Sequence, residues 1–375
     1  MSLLDALYKG GHLRTLDHAL AQSLRRLDRD TPDAVLAAAA LASLAVAKGH
    51  AGVRLDAVAA LVNAEIAWPD AEAWTQQLAA SRWVATPREP ASPAIGSAPL
   101  VLEGGLLYLR RYREYERALA LGLKRIAAQP VSETAIASLA PLFATLFPQV
   151  THDDRQARAA ALALRHALLL VTGGPGTGKT TTTARLLVLL AAQARHAGRT
   201  PPRIALAAPT GRAAERMAES VRHAVQVLAM DGIDADLLVA LPATGTTLHR
   251  LLGTIPDSPH FRHDHDNPLP YEVVVVDEAS MIDLPLMAKL VDAVASGTRL
   301  VLLGDPDQLP SVEAGDVLAA ILGAAGEGDR IDAEDADALQ ELLGPMADTG
   351  IAPASTFAGV RVHLQRGWRQ SEALQ

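Results

Sequence analysis

The sequence has no cysteine among its 375 residues. This absence excludes disulfide bonds, zinc sites with thiolate ligands, iron–sulfur clusters and catalysis by a thiol. There is also no excess of positive charge, because the formal net charge is −8. A protein coated in basic residues is therefore excluded, and any contact with nucleic acid has to come from a local groove.

A membrane-spanning run of apolar residues is also lacking. Residues 34–47 are apolar or small, but the run is too short to cross a bilayer and too far from the N-terminus for a signal peptide. It is better interpreted as a buried helix with Thr31 as N-cap, Pro32 at the first helical position and Gly49 just past the end. We expect no membrane contact and no targeting segment, and a reducing cytoplasm fits this composition.

Composition and periodicity divide the chain into four parts. Residues 1–85 follow a helical pattern, which predicts a small all-helical domain. Residues 86–130 combine a proline-rich linker, a hairpin and a basic helix. Continuous apolar runs alternate with helical patterns over 131–325, which predicts an α/β domain with a parallel sheet covered on both faces. Residues 326–375 begin with an acidic stretch that is interpreted as a solvated linker or surface insertion.

The basic helix is rich in arginine and tyrosine over residues 110–117. Such a stretch suits nucleic acid, since arginine neutralises phosphate and tyrosine stacks on bases. It also suits an amphipathic helix whose tyrosines pack inward while the arginines stay solvated, which is the simpler interpretation. A docking surface for another protein is a third interpretation, and the sequence does not rank it against the second.

Residues 173–180 read GGPGTGKT, a complete Walker A loop between a predicted strand at 168–171 and a helical pattern at 184–194. A glycine-rich turn is the alternative, but a strand before the loop and a helix after it are the context that the motif needs. Lys179 would reach the β and γ phosphates of ATP, and Thr180 would offer its hydroxyl to Mg²⁺. The predicted nucleotide site comprises Gly173, Gly174, Gly176, Thr177, Gly178, Lys179, Thr180 and Thr181.

Polar side chains follow two further predicted strands. Residues 273–276 lead into Asp277, which is placed to hold Mg²⁺, and Glu278, which is placed to orient or deprotonate the attacking water. A helix N-cap pair is the alternative interpretation of these two acids. Residues 300–303 lead into a turn containing Gln308, whose amide both donates and accepts hydrogen bonds and so suits a sensor of γ-phosphate or water. Ligands gather at the carboxyl ends of parallel strands, so we expect these groups to converge.

A fourth predicted strand ends just before Thr210 and Arg212. Thr210 is either a clasp for a nucleic-acid phosphate or a plain N-cap, and both interpretations stay open. His249, in the segment TLHR, is equally ambiguous. A metal site is not expected in the following proline-rich loop, which has no evident pattern of acidic ligands beside its three histidines, His260, His263 and His265.

The order of these motifs resembles that of superfamily 1 DNA helicases. Within them the chain is similar to the alpha-subunit family of exodeoxyribonuclease V, the RecD family, over nearly its whole length. The most specific segments are DEASM and GDPDQLPSVEAG. The segments that carry the resemblance are GGPGTGKTTT (173–182), APTGRAAERMAE (208–219), TLHRLLG (247–253), VVVDEASMIDLPLM (274–287), LLGDPDQLPSVEAGDVL (302–318) and PLVLEGGLLYLRRYREYE (99–116).

The resemblance implies a RecA-like P-loop domain preceded by a small α-helical N-terminal domain. It implies that Gln156 reads the adenine edge, that Gln308 couples the γ-phosphate to DNA, and that Arg369, the last arginine of LQRGWR, touches the phosphates. It also implies that Thr210 and His249 lie in segments facing single-stranded DNA. The ATP and Mg²⁺ roles of Lys179, Thr180, Asp277 and Glu278 agree with it.

The resemblance further implies an ATP-dependent DNA helicase that moves 5′-to-3′ on single-stranded DNA, acts on duplex ends in double-strand break repair, and assembles with beta and gamma subunits. A helicase of this type has a second RecA-like domain, so residues 326–375 are expected to include the start of a truncated one. The alternative function is a truncated, non-catalytic nucleotide-binding scaffold. An unrelated P-loop kinase is disfavoured, because Gln308 and the APTGR segment have no role there.

Overall fold

A computed structural model describes residues 2–63, 66–87, 92, 96–131, 136–148, 154–308, 316–326, 328, 330–345 and 360–365. The chain divides into two compact units, the first mainly residues 1–120 and the second mainly residues 121–282, 289–310 and 317–375. Within the described ranges, no helix is both long and apolar enough to cross a bilayer.

The first unit combines short helices with a small sheet. Its helices are α1 (Leu3–Lys9), α2 (Thr15–Leu27), α3 (Asp33–Ala47), α4 (Val58–Val62) and α5 (Ala71–Ala79), and its strands are β1 (Gly52–Arg54), β2 (Val84–Ala85), β3 (Leu100–Glu103) and β4 (Leu106–Leu109). The predicted hairpin is confirmed, since β3 and β4 pair antiparallel. Its turn residues Gly104 and Gly105 have φ values of 58° and 78°, which a two-residue hairpin turn requires.

The expectation of an all-helical domain over residues 1–85 is wrong. The sheet order is β1-β4-β3-β2, so two strands from this range pair with the hairpin that follows it. The expected boundary at residue 85 therefore divides one sheet. Strands of three and two residues are too short to show a period of two in the sequence.

Helix α3 is the centre of the first unit's core, and its residues 35–45 are all buried. The helix begins one residue later than expected, with Pro32 rather than Thr31 as the N-cap. The hydroxyl of Thr31 instead accepts a hydrogen bond from Nε1 of Trp83 at 2.8 Å. Trp74, also buried, donates to the carbonyl of Ala34 at 3.0 Å, which ties α5 to the start of α3.

The basic helix is α6 (Arg110–Ala127), which begins in the first unit and ends in the second. The interpretation that its arginines stay solvated fails at Arg113, which is only 2% exposed. Arg113 donates to Glu103 at 2.8 Å and to Glu114 at 3.1 Å, so its charge is paired inside the protein. The nucleic-acid and docking interpretations of this helix stay predictions.

The rest of the chain is α/β, as predicted. Its helices are α7 (Ala140–Leu146), α8 (Arg155–Leu162), α9 (Lys179–His196), α10 (Gly211–Met230), α11 (Ala235–Val239), α12 (Leu248–Leu252), α13 (Leu284–Ala293), α14 (Val317–Ala325), α15 (Ala333–Ala338) and α16 (Gln340–Leu343). Its strands are β5 (Leu168–Gly173), β6 (Ile204–Ala208), β7 (Thr246–Thr247), β8 (Val273–Val276), β9 (Arg299–Gly304) and β10 (Arg361–Leu364). Strands β5, β6, β8 and β9 lie where the apolar runs predict them.

These strands form one sheet in the order β10-β5-β9-β8-β6-β7, and each neighbouring pair is parallel. Strands β5, β6 and β8 are buried along their whole length, as expected for a sheet covered on both faces. All parallel strands end at the same edge, so the loops that follow them meet there.

The acidic C-terminal stretch differs from its prediction as a linker. Strand β10 belongs to the six-stranded parallel sheet, and α16 packs on α7 and α8. Apolar residues of this stretch are buried in the same core as α9, among them Leu339, Leu343 and Val362. The buried Asp335 is held by Arg165 and His166, each at 2.6 Å. The P-loop unit therefore does not end at residue 325, and no described part of 326–375 forms a second domain.

Candidate nucleotide site

The P-loop joins β5 to α9 through left-handed backbone. Gly176 and Gly178 have φ values of 81° and 85°, which a residue with a side chain rarely adopts. Helix α9 begins at Lys179, immediately after this turn. The free N–H groups of the first turn of a helix and its dipole attract an anion, so the geometry suits a bound phosphate.

Close packing explains the glycine at the end of β5. A Cβ on Gly173 would lie 2.8 Å from the carbonyl oxygen of Leu364 and 2.8 Å from Oγ1 of Thr177. That hydroxyl also donates to the carbonyl of Gly174 at 2.9 Å, within the loop. Gly173 is therefore needed for strand β10 to approach the P-loop.

Gln156 lies directly against the P-loop. The carboxylate of Asp154 caps α8 by accepting from the N–H groups of Gln156 and Ala157, both at 3.0 Å. The side chain of Gln156 is buried, and its amide donates to the carbonyl of Thr177 at 2.9 Å. That the same side chain reads adenine stays a prediction.

A cavity of about 670 Å³ opens beside the P-loop. One part of its wall consists of predicted nucleotide residues: Gln156, Gly174, Gly176, Thr177, Gly178, Lys179, Thr180 and Thr181. The other part comes from Arg185 of α9 and from one face of α10, Glu219, Ser220, His223, Ala224, Val227 and Leu228. This volume is in the range of nucleotide-sized ligand pockets. Sequence reasoning missed the contribution of α10.

The negative charges of three carboxylates act on Lys179. Its ammonium donates to the carbonyls of Gly173 at 2.5 Å and Gly174 at 3.1 Å. Burial lowers the pKa of Lys179, while the negative charges nearby oppose that shift: Asp277, Asp305 and Glu278. The residues that follow β5, β8 and β9 therefore include one positive and three negative groups that interact electrostatically.

The two acids after β8 differ in setting. Burial raises the pKa of Asp277, and the backbone N–H of Glu278, at 2.8 Å from its carboxylate, and the charge of Lys179 partly offset this. Glu278 has a φ of 52°, a left-handed backbone that costs about 1–2 kcal/mol for a residue with a Cβ. Such strain is concentrated at functional sites, because it persists only where the surroundings impose it.

Asp305 is a site residue that the sequence analysis did not single out. It is 4% exposed and is the first residue after β9, just as Asp277 is the first after β8. Its carboxylate accepts from the N–H of Asp307 at 3.1 Å, and its carbonyl accepts from the N–H of Gln308 at 3.3 Å. The side chain of Gln308 is exposed on that turn. Arg369 lies outside the described residues.

His363 of β10 is a second unpredicted residue at this edge. Its Nδ1 lies 3.0 Å from the hydroxyl of Thr172 in β5. Its carbonyl accepts from Arg155, next to Gln156, at 2.9 Å. Burial lowers the pKa of His363, as do the charges of Arg361 and Arg155, and the aspartates of the Gln308 turn act in the opposite direction. No motif marks this histidine in the sequence.

The predicted DNA-contacting residues occupy the neighbouring strand ends. Strands β6 and β7 pair at Ala208 and Thr247, each two residues before one of them, Thr210 or His249. The hydroxyl of Thr210 accepts from the N–H of Ala213 at 3.2 Å, so it does act as the N-cap of α10. Thr210, Arg212 and His249 are exposed at this edge.

Phe261 adds an aromatic surface that the sequence analysis missed. Its ring meets His249 edge-on, with centroids 5.8 Å apart. The ammonium of Lys289 lies 5.1 Å from the centroid of the Phe261 ring. An aromatic ring flanked by basic groups is a usual platform for a nucleobase.

The three histidines of the adjacent loop do not form one cluster. Nδ1 of His263 lies 3.0 Å from the carbonyl of Asn267. His265 instead lies between two aspartates, Asp264 and Asp266, close enough for the three to share a cation. The expectation that this loop lacks neighbouring acids is therefore wrong, although the group is largely exposed.

Comparisons with known proteins agree with the motif order. Residues 9–108 match the family described as RecBCD enzyme subunit RecD, N-terminal domain. Residues 156–314 match a family described as AAA domain. The first match runs from the last residue of α1 into β4, and the second runs from α8 past the end of β9.

Two curated relatives show how far the similarity extends. RecBCD enzyme subunit RecD of Mycolicibacterium smegmatis is 44% identical over 95% of this chain and 61% of its own length. The ATP-dependent RecD2 DNA helicase of Deinococcus radiodurans is 33% identical over 63% of this chain and 29% of its own length. The chain thus spans less than two thirds of these relatives. A solved structure of Bacteroides Pif1 bound to ssDNA shares 20% identity over 60% of this chain and 44% of that chain, with a TM-score of 0.28.

Proposed function

Because the chain belongs to the RecD family of superfamily 1 helicases over the part that it spans, we propose that it is the ATP-binding portion of a DNA motor. The observation that carries this proposal is the strand order β5-β9-β8 in a parallel sheet, which puts Lys179 at the same sheet edge as the carboxylates that follow β8 and β9. A nucleoside triphosphate in the cavity would place its phosphates at the start of α9 and its base toward Gln156.

The residues around Lys179 suit a nucleotide accompanied by Mg²⁺. The carboxylates of Asp277, Glu278 and Asp305 outnumber the ammonium of Lys179, and a triphosphate adds more negative charge. Hydroxyl and carboxylate oxygens are the ligands that Mg²⁺ prefers. Thr180 and Asp277 would hold the ion, which would offset charge on the phosphates.

Hydrolysis would use the residues that flank this pair. Glu278 would orient the attacking water and accept its proton, and its left-handed backbone holds it beside Asp277. Gln308, on the same turn as Asp305, would sense the γ-phosphate. Arg369 would stabilise charge on the transferring phosphoryl group, a role worth orders of magnitude in related sites.

Single-stranded DNA would lie across the ends of β6 and β7. Backbone N–H groups at Thr210 and the charge of Arg212 suit phosphate, while His249 and Phe261 suit a base. By similarity to RecD, movement would be 5′-to-3′, on duplex ends during double-strand break repair, in a cytoplasmic complex with beta and gamma subunits.

The first test measures ATP hydrolysis by the chain with and without single-stranded DNA. Lys179→Ala should weaken nucleotide binding about tenfold to a hundredfold, since hydrogen bonds to charged groups contribute about 1.5–3 kcal/mol. Lys124→Ala removes the same charge from an exposed position of α6 and should leave binding unchanged. Nucleotide binding without any DNA-stimulated turnover would support the scaffold function and reject the motor.

DNA binding is tested by its dependence on salt. For single strands, the logarithm of the affinity should fall with the logarithm of salt concentration by about 0.7 per phosphate neutralised. Arg212→Ala should reduce that slope by roughly one phosphate contact. A salt-independent affinity would argue against a DNA groove at this edge.

A further inference from the structure

Arg185 occupies an unusual position on the wall of the nucleotide cavity. It lies on α9 four residues after Thr181, on the same face of the helix, and both line the cavity. One face of its guanidinium covers Phe147, with Cζ 5.1 Å from the ring centroid. Phe147 is itself 3% exposed, so this ring is a fixed support.

The guanidinium of Arg185 makes no hydrogen bond or ion pair to any residue that the structure describes. Its Nε is fully enclosed without an acceptor. Arg113 and Arg165, by contrast, are enclosed but donate to carboxylates. Burial lowers the pKa of Arg185, yet a guanidinium stays charged at neutral pH. The negative charges of Asp154 and Asp231 oppose that shift, but neither carboxylate bonds to the guanidinium. A ligand that covered the second face of the guanidinium would therefore complete its surroundings.

The lining next to Arg185 favours the base of a nucleotide over its phosphates. Ala224, Val227 and Leu228 form an apolar part of the α10 wall, which suits the flat face of a heterocycle. Glu219 adds a negative charge to the same wall, which would repel phosphate. Lys179 and the N-terminus of α9 are the groups that suit the phosphates.

We propose that Arg185 stacks on the nucleobase, so that its planar guanidinium lies between Phe147 and the bound base. This inference rests on the proposed function, because it requires a nucleotide in the cavity. A guanidinium stacks on any aromatic face, so Arg185 contributes affinity for purine nucleotides in general. Selection of adenine is left to Gln156, whose amide can read a base edge.

The test compares a probe with a base, ADP, and one without, pyrophosphate, by calorimetry in the presence of Mg²⁺. Arg185→Ala should weaken ADP binding about fivefold to thirtyfold and leave pyrophosphate within about twofold. GDP should lose as much as ADP. Arg185→Lys keeps the charge and the stem but lacks the planar face. It should fold normally and show most of the loss of ADP affinity that Arg185→Ala shows.

The matched control is Arg203→Ala, since Arg203 pairs with Glu272 near the start of β6, at the opposite end of the strand from the P-loop edge. Equal losses for ADP and pyrophosphate would show that Arg185 binds phosphate and would overturn the stacking role. No loss for either probe would reduce Arg185 to a support for Phe147. If the unsubstituted chain bound neither probe, the nucleotide assignment itself would fall, whatever the variants did.

Discussion

Asp335 offers a strong test of how the acidic C-terminal stretch is attached. Its carboxylate is 3% exposed and accepts from Nε of Arg165 and lies against Nε2 of His166, both at 2.6 Å. Replacing Asp335 with asparagine keeps the shape but removes the charge. Arg165 would then keep only its bridge to the exposed Glu334, at 3.0 Å.

The expected loss follows from how enclosed these groups are. Removing one partner of a fully buried ion pair costs about 3–5 kcal/mol. The side chains of Arg165 and His166 are 15% and 23% exposed, so water offsets part of the loss. We therefore expect Asp335→Asn to lower the free energy of unfolding by about 2–3 kcal/mol, or the melting temperature by about 4–12 °C for a unit of this size.

The same ion pair predicts a pH dependence. Burial alone would raise the pKa of Asp335, but His166 and Arg165 lower it by more, so the net pKa is below its ordinary value of 3.8. A lowered carboxyl pKa adds stability above the unfolded value, and that stability disappears as the pH falls through the folded value. The gap between the two proteins should therefore be constant near neutral pH and shrink below about pH 4.

Thermal unfolding followed by circular dichroism would measure both effects. Asp337→Asn is the matched control, because it removes the same charge from an exposed position on the same helix. It should shift the melting temperature by no more than about 2 °C. If both variants had the melting temperature of the unsubstituted chain, Asp335 would not hold the acidic stretch in place. That result would favour the interpretation of the stretch as a solvated linker.

Two further substitutions probe other close contacts. Gly173→Ala should abolish ADP binding measured by calorimetry, because the added methyl would lie 2.8 Å from the carbonyl of Leu364 beside the P-loop; unchanged affinity would show that the loop tolerates the shift. Asp17→Ala should destabilise the first unit by about 3 kcal/mol in urea titration. It removes a fully buried carboxylate that accepts hydrogen bonds from Arg14 and Ser43, both at 2.7 Å. A loss below about 1 kcal/mol would show that these hydrogen bonds contribute little to the stability of the first unit.

The central strands could be predicted because their sequence is unambiguous. Four consecutive valines form β8, and the apolar runs of β5 and β9 fit no amphipathic pattern, so a strand buried on both faces was the physical solution. Each run is followed at once by polar residues, which located Asp277 and the Gln308 turn at one edge. Gly176 and Gly178 of the Walker A loop needed no tertiary information, because their left-handed backbone conformation is a local property.

Other features depend on partners distant in the chain. Asp335 belongs to a stretch whose composition indicates a solvated linker, and only its contact with Arg165 makes it part of the core. Arg185 resembles any arginine on a helix, and only its contact with Phe147 and its place on the cavity wall opposite residues of α10 set it apart. Thr31 is a residue type that favours the N-cap position, yet its hydroxyl accepts a hydrogen bond from Trp83 instead. In each case a tertiary contact overrides a local preference that is worth about 1 kcal/mol.

Strand β10 shows why the topology matters for the proposed motor. After β9, the chain crosses β5 and returns as β10 on the other side, so the P-loop strand has a neighbour on each flank. On one flank β9 ends in Asp305; on the other, His363 contacts Thr172 and Leu364 packs on Gly173. The contact between Gly173 and Leu364 leaves no room for an extra methyl group, so we expect a rearrangement of the P-loop at Gly173 to shift β10 as well. Strand β10, which precedes Arg369 in the sequence, is therefore in direct contact with the P-loop.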